Sequence, residues 1–259
     1  MTTLAYDDRG AGEPVLFIAG RGGAGRTWHL YQVPAFLKAG YRTITFDNRG
    51  IGDTADATGF GIEDMVADTV ELIEKLGIAP TRVVGVSMGS FIAQELMVAH
   101  PELVSDAVLM ATRGRDDYAR EFFRRAGYDL FDAGIKLPPT FDARMRLLEN
   151  FSPRTLNDDK AVREWIEIFT MWPTEMTPGA RCHLDVSPKA SRLQAYSAIT
   201  SRVLVMGFAD DVVLPTHLGM EVAQAIPRAR YLEIADTGHL GFVERPEVVN
   251  AAVLDFFNR

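Results

Sequence analysis

Short β-branched runs, most of them nearly all apolar, alternate along this chain with longer stretches of helical spacing. Residues 15–19, 42–46, 82–86, 106–110, 202–206 and 230–234 are rich in β-branched and aliphatic side chains. Runs that do not alternate apolar with polar suit strands covered by helices on both faces. Between them, residues 63–76 set Met65, Val66, Val70, Ile73 and Leu76 on one stripe, with Gly77 placed to stop the helix. Residues 91–100 end at Pro101, and residues 216–226 and 246–257 follow the last two runs. Such alternation predicts an α/β protein with a mostly parallel, doubly wound sheet. Residues 4–7 are expected as an edge strand.

The alternation stops between about residues 113 and 199. That stretch has helical spacing and many aromatics, among them Phe122, Phe123, Phe131, Trp165, Phe169 and Trp172. Its composition is not that of a linker, so it is expected as a helical cap inserted over the sheet. The division is a core of residues 1–113 and 200–259 with a cap of residues 114–199. With 47% hydrophobic and 24% charged residues, the chain is an ordinary globular one with enough apolar surface for a large core. Its lone cysteine, Cys182, rules out an internal disulfide framework. A net charge of −8 argues against nucleic acid as a partner. No apolar stretch approaches the length of a membrane span. The opening MTTLAYDDRG lacks the features of a secretory signal. A cytoplasmic location and a small-molecule substrate are therefore expected, with no membrane partner.

The chemistry is carried first by Gly85-Val86-Ser87-Met88-Gly89. This G-x-S-x-G directly follows an expected strand and directly precedes a helix, the context that lifts a serine hydroxyl clear of its backbone. A serine needs a base to take its proton. Of His29, His100, His183, His217 and His239, the last lies in Asp236-Thr237-Gly238-His239, just past the final strand. Loops at the carboxyl edge of a parallel sheet are where catalytic groups gather. His183 falls in the insertion, and His217 opens a helix. The orienting acid should lie between serine and histidine, where Gly207-Phe208-Ala209-Asp210-Asp211 offers two aspartates. Counting from Gly207 favours Asp210; counting back from Pro215 favours Asp211. Oxyanion donors are expected from the N–H groups of Met88 and Arg21. Trp165 and Trp172, with Trp28, are candidates to line an apolar substrate pocket.

The same glycines admit a rival. Gly20-Arg21-Gly22-Gly23-Ala24-Gly25 fits the dinucleotide-binding G-x-G-x-x-G, with Asp47 about twenty residues on. Pro34 argues against it, because the long helix that motif needs would be broken there. The rival also leaves the placement of Ser87, Asp211 and His239 as coincidence.

The Gly85–Gly89 motif, the GFADD turn and the DTGH loop together resemble the α/β-hydrolase superfamily. Asp47-Asn48-Arg49-Gly50-Ile51-Gly52 is similar to its structural D-x-R-G-x-G turn. The GRGGAGRTW loop, VLMATRGR, RLLENFS and TLNDD segments more narrowly resemble the cofactor-free, non-haem haloperoxidase (bromoperoxidase-like) group. The resemblance implies an eight-stranded sheet with a helical cap and a triad of Ser87, Asp211 and His239. It also implies an oxyanion strand ending in His-Gly, where this chain has Ala19-Gly20. The activity implied is esterase or perhydrolase chemistry through an acyl-enzyme, with apparent halide peroxidation. No cofactor is implied, and the scattered histidines offer no metal cluster. Two other classes remain: a non-hydrolytic lyase or cyclase of the same fold, and a ligand-binding protein that retains the triad.

Overall fold

The computed structural model describes residues 3–54, 58–174, 177–187 and 190–259. The apolar runs become β1 (Tyr6–Arg9), β2 (Pro14–Ile18), β3 (Arg42–Phe46), β4 (Thr81–Val86), β5 (Val104–Met110), β6 (Arg202–Phe208) and β7 (Ala229–Ile234). They form one sheet in the order β1-β3-β2-β4-β5-β6-β7. Only β1 runs antiparallel, pairing Tyr6 with Phe46 and Arg9 with Thr43. The edge strand thus begins two residues later than expected. Among the described residues the sheet has seven strands, one fewer than the resemblance implied, because nothing pairs beyond β1.

The helices are α1 (Gln32–Lys38), α2 (Ile62–Leu76), α3 (Met88–Ala99), α4 (Tyr118–Asp132), α5 (Pro139–Asn150), α6 (Pro153–Leu156), α7 (Asp159–Met171), α8 (Pro178–Cys182), α9 (Leu193–Tyr196), α10 (Thr216–Ala225), α11 (Gly241–Glu244) and α12 (Pro246–Phe257). Strand side chains split between two cores. Leu16, Ile18, Val83 and Val205 pack with α2 and α3 on one face. Val15, Phe17, Val84 and Met206 pack with α1 and α12 on the other. This is why the strands read as continuous hydrophobic runs. Gly77 ends α2 at φ 61°, a left-handed conformation that glycine adopts without strain.

Strand order reverses between β2 and β4, which opens a crevice at their carboxyl ends. After β2 the glycine run makes a turn and a short 3₁₀ segment, Gly25–His29, instead of a long helix. Pro34 then sits in the first turn of α1, where its missing N–H costs nothing. Asp47 accepts the Gly25 N–H at 2.7 Å, so the expected ribose-binding aspartate of the rival reading is a brace for the loop. The dinucleotide geometry is not formed. Between β5 and β6 the described residues hold helices α4–α9 and no strand. No helix among the described residues is long and apolar enough to cross a membrane.

Candidate active site

Ser87 links β4 to α3 with φ 52° and ψ −118°. A non-glycine residue there carries strain of order 1–3 kcal/mol, tolerated only because its surroundings fix it. Its N–H donates to Met110 O at 3.0 Å, and its carbonyl accepts from Ser90 at 3.0 Å and Phe91 at 3.3 Å. Small neighbours are obligatory. A Cβ on Gly89 would lie 2.1 Å from Ile18 O, and one on Gly85 would lie 2.6 Å from Gly89 O. The turn presents the serine at the strand-order reversal, half-buried at the mouth of the crevice.

His239 and Asp211 form a buried pair, with Nδ1 to Oδ2 at 2.8 Å. The other carboxylate oxygen of Asp211 accepts the N–H groups of Val213 and Leu214, both at 2.8 Å. Both oxygens of a fully buried carboxylate are thus satisfied, and the histidine is held on its Nδ1 side. The neighbouring Asp210 contributes only backbone, donating its N–H to Thr237 O at 2.8 Å. Geometry therefore resolves the ambiguity between the two aspartates in favour of Asp211 as the histidine's partner.

The His239 loop is fastened to the insertion. Glu244 accepts the Gly238 N–H at 2.6 Å and both the N–H and hydroxyl of Ser152. The Leu240 N–H reaches Asn150 O at 3.1 Å. Gly238 lies so close to α5 that a Cβ would meet Asn150 O at 2.6 Å. Within this packing Glu149 faces His239 and Arg21. Burial pushes its carboxyl above the usual range, against the electrostatic pull of Arg21.

The opposite wall is the loop after β2. Among the described residues neither the Arg21 nor the Met88 N–H is engaged in a hydrogen bond. The loop is held although it lacks the family's histidine. Asn48 donates to Ala19 O at 3.2 Å, and the Gly23 N–H donates to Gly20 O at 3.0 Å. His183, from the insertion, accepts the Gly22 N–H on Nδ1 at 3.3 Å while its Nε2 donates to Arg49 O at 2.9 Å. A carbonyl only accepts, so this pairing requires the neutral Nε2–H tautomer. Burial lowers the His183 pKa and the nearby Arg21 lowers it further, against the Arg49 hydrogen bond. Sequence reasoning gave His183 no role, since nothing local to it signals a partner 161 positions away. The Arg21 side chain is open to solvent, yet desolvation lowers its pKa.

Trp28 and Trp172 do not line the expected pocket. Trp28 is wholly buried between Phe17 and Phe242, at ring distances of 5.3 and 4.8 Å, so it presents no surface to a ligand. Trp172 ends α7 and is 57% exposed, on the outside of the insertion. Trp165 is half-buried and packs on Phe151 and Phe169 at 4.8 and 5.6 Å.

A model of the alpha/beta hydrolase family matches residues 15–252, and the chain belongs to that family and is an enzyme of its class. Within it, the chain is 68% identical over 257 residues to the Mycobacterium tuberculosis H37Rv protein provisionally named non-heme bromoperoxidase BpoC, covering 99% of this chain and 98% of that one. The crystal structure of that protein matches with a TM-score of 0.97, covering 98% of this chain and 95% of the other. A thermophilic esterase from Thermogutta terrifontis, 26% identical, matches with a TM-score of 0.83 over 98% of this chain and 93% of its own.

Proposed function

We propose that this enzyme is a serine hydrolase of esterase or perhydrolase type. The observation that carries the reading is the buried His239–Asp211 pair on the same sheet edge as the strained Ser87 turn. In this reading the core is residues 1–113 and 200–259, the cap is residues 114–199, and the protein works in the cytoplasm on a small molecule without a cofactor.

Ser87 Oγ adds to the carbonyl carbon of an ester while its proton passes to His239 Nε2. Asp211 holds the imidazole by Nδ1 and stabilises the imidazolium. The oxyanion takes the N–H groups of Arg21 and Met88, the latter at the positive end of α3. Collapse breaks the bond to the alkoxide, which leaves with the proton from His239. Water, deprotonated by His239, then splits the acyl-enzyme into a carboxylic acid and free serine. Hydrogen peroxide in place of water releases a peracid. One peracid, one bromide and one proton give the carboxylic acid and hypobromous acid, which accounts for apparent bromoperoxidase activity without a metal-centred step.

The experiment is labelling with a neutral fluorophosphonate, followed by turnover of p-nitrophenyl esters of graded chain length with and without peroxide and bromide. Stoichiometric modification of Ser87, with ester turnover lost in Ser87→Ala, is expected. Turnover that survives Ser87→Ala would exclude the acyl-enzyme.

A further inference from the structure

Ester hydrolysis leaves a cluster of arginines after β5 unexplained. Arg113 lies three residues beyond β5, with its guanidinium 4.9 Å over the Phe91 ring in the first turn of α3. Arg124 and Arg120 of α4 and Arg21 of the loop after β2 all act on it electrostatically. Two aspartates oppose these four guanidinium groups. Asp116 pairs with Arg124, and its Oδ1 lies 2.8 Å from Arg113 Nη2 without hydrogen-bond alignment. Asp117 lies 3.2 Å from Arg120 Nε, also unaligned. Glu149 faces Arg21, but burial favours its neutral form.

Arg113 and Arg120 are each only 8% exposed. Arg113 Nη2 donates to Ser187 Oγ at 2.6 Å, but its Nε has no acceptor. Arg120 has none at Nε or Nη1. Buried donors without acceptors are rare, and rarer on a cation, because each forfeits its hydration. Burial, then Arg124, Arg120 and Arg21, push Arg113 down to about 9, against Asp117. Guanidinium keeps its proton well above neutral pH, so the crowding amounts to positive charge awaiting an anion. The platform beneath is rigid: buried Gln94 donates to Arg113 O at 3.1 Å and to the Tyr196 hydroxyl at 2.7 Å.

We propose that Arg113 and Arg120 recognise an anionic group carried by the acyl donor, so that the substrate is an ester with a second, carboxylate or phosphate, group. The planar guanidinium forks suit the oxygen pairs of either anion. This deepens the serine-hydrolase reading and rests on it. A neutral acyl chain leaves the donors unpaired, and sites built around buried polar groups discriminate strongly against substrates that do not pair them.

The test compares kcat/KM for p-nitrophenyl hydrogen glutarate with that for neutral p-nitrophenyl pentanoate. Wild type should favour the anionic ester by at least about 30-fold. Arg120→Gln should bring that ratio to within about threefold of unity, mainly through KM. Calorimetry on Ser87→Ala protein should show glutarate or inorganic phosphate binding that weakens at least about tenfold when Arg120→Gln is added. Whichever of the two binds names the anion. Should Arg113→Gln fail to fold, as its melting curve would reveal, Arg120→Gln decides alone. Fluorophosphonate labelling of Ser87 without anionic preference or anion binding overturns this proposal and leaves the serine mechanism standing. Anion binding with no labelling overturns the serine mechanism and supports the anion pocket.

Discussion

The two sides of the crevice are built on opposite rules. On the His239 side the anchoring carboxylates have protein partners: Asp211 is saturated by His239 Nδ1, Val213 and Leu214, and Glu244 by Gly238 and Ser152. On the Arg113 side, three buried guanidinium nitrogens, Arg113 Nε and Arg120 Nε and Nη1, lack acceptors. A saturated network fixes geometry, since each member holds the next and the low dielectric punishes any break. An unsaturated one stores unmet hydrogen-bonding capacity that a ligand can relieve. The first side is machinery already set, and the second is a receptor.

The largest break expected is on the saturated side. Ser87→Ala should lower ester kcat by about 10⁶-fold while leaving the melting temperature level or higher, since the hydroxyl supports nothing in the fold; stopped-flow release of p-nitrophenol measures the first and a thermal scan the second. Asp211→Asn should cost about 10⁴-fold in kcat, because an amide can present its NH₂ to the histidine and favour the wrong tautomer, while its oxygen still accepts from Val213 and Leu214. The paired control, Asp210→Asn, should stay within about twofold, because that side chain holds no part of the pair; steady-state kinetics on both variants would expose a wrong choice of aspartate if the ranking reversed. Gly238→Ala drives a Cβ toward Asn150 O. A displacement of about 1 Å at the base should cost about 10²-fold in kcat with little change in KM, and an unchanged kcat would show that the docking on α5 is dispensable.

The smallest effect concerns the His183 latch on the loop after β2. His183 is held neutral, with its pKa below the ordinary value of 6.5. Between that lowered pKa and 6.5 the unfolded chain binds more protons than the folded one. Stability is therefore full above 6.5 and falls as pH drops through that window toward the folded pKa. Protonation would also turn Nδ1 from acceptor to donor against the Gly22 N–H. Replacing His183 by Asn should cost about 1 kcal/mol at pH 7.5 and flatten the acid limb of a denaturant-midpoint titration; an acid limb identical to wild type would remove His183 from the account.

Hydrophobic runs and stop signals were enough to place the sheet, because parallel strands buried on both faces leave a strong local mark. Arg42–Phe46 and Pro246–Phe257 fall where the pattern sets them, and α2 begins one residue early. Long-range partners leave no such mark. Asp210 and Asp211 differ by one position, and only the path of the turn after β6 determines which of them meets the histidine. His183 and Glu149 act between the helical segment that follows β5 and loops far away in the chain, where no periodicity reports. Trp28 was misplaced for the same reason: an aromatic beside the site loop reads identically whether it faces the cleft or the core. The family segments nevertheless mark the crevice well, for GRGGAGRTW holds Arg21, VLMATRGR holds Arg113, and RLLENFS holds Glu149, Asn150 and Ser152.

Glu244 joins the base loop to Ser152 of the insertion, and His183 joins the insertion to the oxyanion loop. A roof riveted to both catalytic walls does not swing open as an independent door. Lifting it would pull the His239 loop and the loop after β2 apart together, so under the proposed mechanism wider entry comes at the expense of catalytic geometry.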